Sequence, residues 1–193
     1  MTPPPSGPPS GVRVFAVLLV VAAVFAVIIG ATLYFTHEDK AAKGLGPVAL
    51  RTPLRFQQVA EAAPPPCKPD ALPAADAKTC YLLGTATMTV GQVEGIRAQG
   101  PDPKNGRTGW SVVVALHPAD APRFAALSEQ AHREYQRSPS APGAGLAIIG
   151  DGRVLSAPQM AGVITSGNFD ISGPPEQFTR EYVTDLVHRL TGR

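Results

Sequence analysis

The run VFAVLLVVAAVFAVIIGATLYF, residues 14–35, constrains this chain more than any other feature. It carries no charged residue, so a helix built from it is apolar on every face, unlike the amphipathic helices that cover soluble cores. Such a helix would be roughly 33 Å long, at about 1.5 Å per residue. That length matches a bilayer hydrocarbon core of about 30 Å. Tyr34 and Phe35 stand at one end, where aromatic rings favour the membrane interface. The competing reading is a cleaved signal peptide. Those have apolar runs of about 7–15 residues and a small-residue exit, and GATLYFTHED fits that pattern poorly. A single transmembrane helix at 14–35, embedded in the lipid bilayer, is therefore expected.

Orientation follows from size more than from charge. Arg13 precedes the run and Lys40 and Lys43 follow it, so the count of basic flanks leans weakly toward the wrong side. A large domain after a first span is nevertheless exported largely regardless of charge. Cys67 and Cys80 are the only cysteines. An even pair in a Pro-rich loop reads as a disulfide in an oxidising compartment. The alternative is two free thiols, which alone do not make a four-ligand zinc site. These arguments place the N-terminus in the cytoplasm and the rest outside the cell membrane. Lys+Arg 17 against Asp+Glu 15 leaves the outer part nearly neutral, without the basic patch of a nucleic-acid binder.

Residues 1–13, rich in Pro, Gly and Ser, read as a disordered cytoplasmic tail. Residues 36–79 read as an extracytoplasmic linker, with a possible strand at 48–59 from alternating Leu54, Phe56 and Val59, then the cysteine loop. Residues 80–193 read as the folded domain. CYLLGTATMTV is a strand interrupted by Gly84, and VEGIRAQGPDPKNGRTG carries turn signals. WSVVVAL, 110–116, is β-branched and reads as a buried strand. Asp120 and Pro122 open a helix whose Phe124, Leu127, Ala131 and Tyr135 share one face. SPSAPGAG is a flexible loop. LAIIGDGRVLSAP is a hairpin turning at Gly-Asp-Gly, and FDIS is a short strand. Thr179 caps a last helix, with Val183, Leu186, Val187 and Leu190 as its apolar stripe and Gly192 as its stop. The fold class is α+β: a small antiparallel sheet with two helices packed on one face.

The residues that carry chemistry give little. Ser156 and Ser172 lack a nucleophile elbow, and no Ser-x-x-Lys follows either. His37 lies beside the apolar run, His117 precedes a proline, and His132 and His188 fall off the apolar stripes and read as solvated. No zinc motif or calcium loop is present. The glycines at 44–46 and 143–145 are linker glycines without a phosphate-binding fingerprint. No catalytic, cofactor or metal site is expected, and no small-molecule substrate.

The stretch LAIIGDGRVLSAPQMAGVITSGNFDISG resembles the head subdomain of the first large extracytoplasmic domain of SecD, an accessory protein of the bacterial Sec translocase. The resemblance rests on the apolar strand Leu146–Ile149, the turn Asp151-Gly152, and Ser156-Ala157-Pro158. It continues through Ile171-Ser172-Gly173 and a helix that opens Phe178-Thr179. It extends upstream through YLLG, 81–84, and covers about residues 80–190. Gly150 departs from the family, where an apolar residue precedes Asp-Gly, and the segments 136–145 and 174–177 read as insertions. The later helices that serve proton-driven work in SecD have no counterpart among these 193 residues, so that activity is not carried over. The resemblance implies a non-catalytic binding or accessory domain that meets exported polypeptides or Sec and envelope membrane proteins. The alternative is a structural or regulatory envelope protein reusing the fold, unrelated to translocation.

Overall fold

The computed structural model describes residues 47–193. The expected tail, the membrane span at 14–35 and the first part of the linker lie outside the described residues. Among the described residues no helix is long and apolar enough to cross a membrane.

A seven-stranded antiparallel sheet carries the fold. Its strands are β1 (Val48–Ala63), β2 (Leu72–Pro73), β3 (Cys80–Gln99), β4 (Ser111–Leu116), β5 (Leu146–Gly150), β6 (Arg153–Ser156) and β7 (Asn168–Ile171). They lie in the order β6-β5-β1-β3-β4-β7, with β2 added beside β3. The helices are α1 (Ala121–Arg137) and α2 (Arg180–Thr191). The α+β architecture with two helices on an antiparallel sheet is thus present.

Period-2 patterning explains both faces. Leu54, Phe56, Met88, Val90, Ile96, Val112 and Val114 point to the helix side and are buried. There they meet Phe124 and Leu127 of α1 and Val183, Leu186 and Leu190 of α2. Phe56, Phe124 and Phe169 lie with ring centroids 5.0–5.3 Å apart, the spacing aromatic pairs favour. On the other face a second cluster gathers Val59, Ala147, Ile149 and Val154, with Tyr81 and Leu83 against it. The segment after β2 closes over that end: Ala74 bridges Val154 in parallel, and the Ala75 N–H donates to the Val154 carbonyl at 2.9 Å.

Several elements depart from the sequence reading. Residues 48–63, grouped with the linker, form β1 between β3 and β5, inside the sheet rather than before it. The core therefore includes Val48, Leu54 and Phe56 as well as residues after Cys80. The turn signals of 93–109 act only from Gly100 onward, because Val93, Gly95 and Ile96 pair with β4 and extend β3 to Gln99. β3 runs on through Gly84, but its pairing with β1 is interrupted there: Val59↔Leu83 is followed by Gln57↔Thr87, so residues 84–86 bulge opposite Gln58. The glycines of 143–145 are packed rather than free. A Cβ on Gly145 would come within 3.3 Å of Val59, and the Gln58 side chain donates to the Gly143 carbonyl at 2.6 Å.

Candidate functional site

The family-like residues of the sequence hold elements together. Asp151 and Gly152 both take positive φ, 52° and 71°, as a two-residue type I′ hairpin turn requires. The Asp151 carboxylate accepts a hydrogen bond from Thr52 Oγ1 at 2.9 Å and lies 3.5 Å from Arg189 Nε, so it ties the turn to β1 and to the end of α2. Gly150 is small for a related reason: a Cβ there would stand 3.2 Å from Leu190 and 3.0 Å from Leu155. Ala157 packs against the second cluster, and the Pro158 carbonyl accepts from the Leu146 N–H at 3.0 Å.

The two serines also have structural partners. Ser156 Oγ donates to the Ser172 carbonyl at 2.7 Å, joining the end of β6 to the residue after β7. Ile171 is fully buried, and Phe178 is 1% exposed. Gly173 lies against the Phe178 ring, where a Cβ would come within 2.4 Å of the ring edge. Thr179 is the N-cap of α2, its hydroxyl accepting from the Tyr182 N–H at 3.2 Å. Asp120 occupies the same place on α1 without a capping bond; its carboxylate sits 3.8 Å from Arg123 instead.

The remaining singled-out residues are distributed over the surface. His117 Nδ1 accepts from the Ala119 N–H at 3.2 Å, with Nε2 3.4 Å from Glu94. His132, expected to be solvated, is half-buried and bonds the Met160 carbonyl at 2.9 Å. Together with Ser128, which accepts from the Ile164 N–H at 3.1 Å, it pins the β6–β7 connector to α1. Cys67 and Cys80 form a disulfide with Cα atoms 5.3 Å apart, which fastens the proline-rich loop to the start of β3.

Two clefts flank the segment 172–175, and neither was visible in the sequence. The first, of about 290 Å³, is lined by Gly106–Ser111 on one side and Asp170, Ser172, Gly173 and Pro175 on the other. Arg107 Nε donates to Asp170 Oδ2 at 3.0 Å, and Ser111 Oγ reaches the same oxygen at 3.3 Å. Trp110 packs toward Gly100, 3.4 Å from where a Cβ would stand, and the Arg180 guanidinium lies 5.8 Å from its ring centroid. The second cleft, of about 250 Å³, is lined by residues including Asp76, Tyr81, Ser156, Gly173 and Phe178. Burial, then the nearby Asp76 carboxylate, hold the Tyr81 phenol above its ordinary range; burying a phenol disfavours its charged form.

The first cleft adjoins an open sheet edge. β7 pairs with β4 alone, in the register Val112↔Ile171, Val113↔Asp170, Val114↔Phe169 and Ala115↔Asn168. The Leu116 N–H donates to the Gly167 carbonyl at 3.0 Å, which fixes the alternation: residues 167, 169 and 171 bond β4, while Asn168 and Asp170 turn their main-chain groups outward. Ser166 Oγ takes the Asn168 N–H at 3.2 Å. The Asn168 carbonyl and both main-chain groups of Asp170 have no partner among the described residues. At the other end of the sheet, the β6 edge is capped through Val154 by residues 74–75. The signals that could have pointed to this site are the lone Trp beside a buried strand and a single acid in FDIS.

An antiparallel sheet with two helices on one face, one capped edge and one open edge defines a small α+β domain. The family model for the SecDF P1 head subdomain matches residues 70–192, and the chain belongs to that family. Two solved SecDF structures are similar. One, SecDF in a super-membrane-facing form, shares 19% identity with a TM-score of 0.45, the match covering 73% of this chain and 19% of that one. The other, of SecDF as a membrane component that enhances protein export, shares 18% identity with a TM-score of 0.42, covering 70% of this chain and 62% of that one. The chain thus spans less than two thirds of either. A comparison with curated proteins finds no match.

Proposed function

We propose that this chain is an accessory module of the cell envelope, held by a single helix at 14–35 with its SecDF-head domain outside a bacterial membrane. There it holds extended segments of exported polypeptide without catalysing a reaction and without proton-coupled transport. Family membership supports the Sec-related part of this reading, and the uncharged run supports the anchor. The Cys67–Cys80 disulfide agrees with an oxidising compartment. The observation that carries the reading is the open edge of β7, because an unpaired strand recruits extended chains by main-chain hydrogen bonding.

The test is site-specific photocrosslinking of the full chain in membranes during arrested export of a secretory protein. A photoreactive residue at Asn168 is expected to capture the arrested chain, and one at Arg133, on the exposed side of α1, is not. Absence of capture from every exposed position, with the chain present in the membrane, would refute the reading and favour a structural or regulatory envelope protein.

A further inference from the structure

We infer that recognition at this edge is directed at the main chain: β7 takes an extended segment of another polypeptide as an additional strand, and Asp170 sets which residue stands opposite it. This deepens the export-accessory reading and rests on it. The available groups are those of an extended backbone. The Asp170 N–H and C=O alternate with the Asn168 carbonyl along the outer edge, as the β4–β7 register dictates. The adjoining cleft continues them with a mixed surface, Arg107 and Thr108 beside Trp110 and Pro175, rather than with a wholly apolar socket. Such a site reads strand geometry more than side-chain identity, so it tolerates many sequences and rejects segments with proline where an N–H must donate.

Charge selects the occupant. Arg97, Val113 and Asp170 form one cross-strand row on the helix-free face. Asp170 Oδ2 is engaged by Arg107 and Ser111, and Oδ1 has no hydrogen-bond partner among the described residues. A residue added opposite Asp170 extends that row, where a like charge is destabilising and an opposite charge is favourable. A second copy of this chain is therefore a poor occupant. Two β7 edges pairing antiparallel would set the two Asp170 carboxylates opposite or diagonal to each other. The Asn168 N–H is already committed to Ser166, and Pro174 has no N–H to offer.

The experiment measures binding of the full chain, in detergent micelles, to a labelled soluble peptide of alternating Val and Thr with one guest position. Asp170→Pro removes an outward N–H that β4 does not use, a substitution edge strands tolerate; Asp170→Asn keeps it. Asp170→Pro is expected to weaken binding by about tenfold, the scale of a lost hydrogen bond with its desolvated partner. Asp170→Asn should stay within about twofold for a neutral guest. A Lys guest should bind roughly two- to fivefold more tightly than a Glu guest, the scale of a cross-strand pair, and Asp170→Asn should abolish that difference. If Asp170→Pro does not fold, as judged by circular dichroism, peptides N-methylated at alternate amides decide against the unaltered chain: one methylation phase should abolish binding and the other should not. Equal binding by Asp170→Pro and Asp170→Asn, or by both methylation phases, overturns the inference. If the arrested chain still crosslinks in membranes while the peptide results are negative, the edge inference falls and the export reading stands; if both are negative, both fall.

Discussion

Gly173→Ala is expected to be among the most damaging single-methyl changes in this protein. Gly173 is not in the left-handed region, so its role is space rather than conformational freedom. A Cβ would stand 2.4 Å from Phe178 Cε2, 2.6 Å from Cδ2 and 3.3 Å from Cζ, against an optimal carbon separation of about 3.5–4.0 Å. The ring cannot simply retreat. Phe178 is 1% exposed, its centroid lies 5.2 Å from that of Tyr182, and Thr179 begins α2 immediately after it. Overpacking of this kind costs about 1–3 kcal/mol. For a domain the size of residues 47–193, each kcal/mol corresponds to roughly 2–4 °C in Tm, so a fall of about 6–12 °C follows for a cost at the upper end. The assay is a double-mutant cycle by urea and thermal unfolding. Phe178→Ala alone should cost about 3–5 kcal/mol. In that background Gly173→Ala should cost less than about 0.5 kcal/mol, because the clashing ring is gone and contacting residues are non-additive. A full penalty for Gly173→Ala in the absence of the ring, or none in its presence, would show that the close approach is not what demands glycine.

The two helix starts make a matched pair: Thr179→Ala should destabilise by about 1 kcal/mol, whereas Asp120→Ala, which breaks no capping bond, should change unfolding by less than about 0.5 kcal/mol. Replacing Cys67 and Cys80 by serine removes a loop closure and should cost about 2–4 kcal/mol, with faster hydrogen exchange confined first to 64–79 and the β6 edge it covers. Burial holds the Tyr182 phenol above its ordinary range, against the opposing pull of Arg189, and its buried hydroxyl lacks a hydrogen-bond partner of good geometry among the described residues. A raised folded pKa means that stability is full below the unfolded value of about 10 and declines as pH rises through and above it. Tyr182→Phe should therefore flatten the alkaline fall in Tm without lowering stability at neutral pH, and a Tm loss at pH 7 would show that the hydroxyl is bonded after all.

Local chemistry made much of the fold legible before any coordinates. The alternation in 48–59, the β-branched run 111–116, the Asp-Gly turn and the capped stripe of α2 each report on neighbours close in sequence, and each element forms near where its pattern lies. The Cys67–Cys80 pairing was legible too, since two cysteines in one loop have one partner to choose. The candidate site was hidden because it depends on pairings distant in sequence. Asp170 acquires its meaning from Arg107, 63 residues away, and from being on the last strand of the sheet. His132 looked solvated on a helical wheel because the connector that buries it arrives from residue 160.

By itself the sequence determined an uncharged run of membrane-spanning length, an α+β succession of strands and capped helices, and kinship with the SecDF head. These follow from hydrophobic periodicity, turn stereochemistry and motif order, which are properties of adjacent residues. Tertiary structure alone decided that β1 lies inside the sheet and that residues 74–75 cap β6. It also decided that Gly150 and Gly173 must be small and that β7 is left with an open edge. Those outcomes depend on which strands meet, and strand order is settled by the burial of the whole apolar face at once rather than by any segment of it.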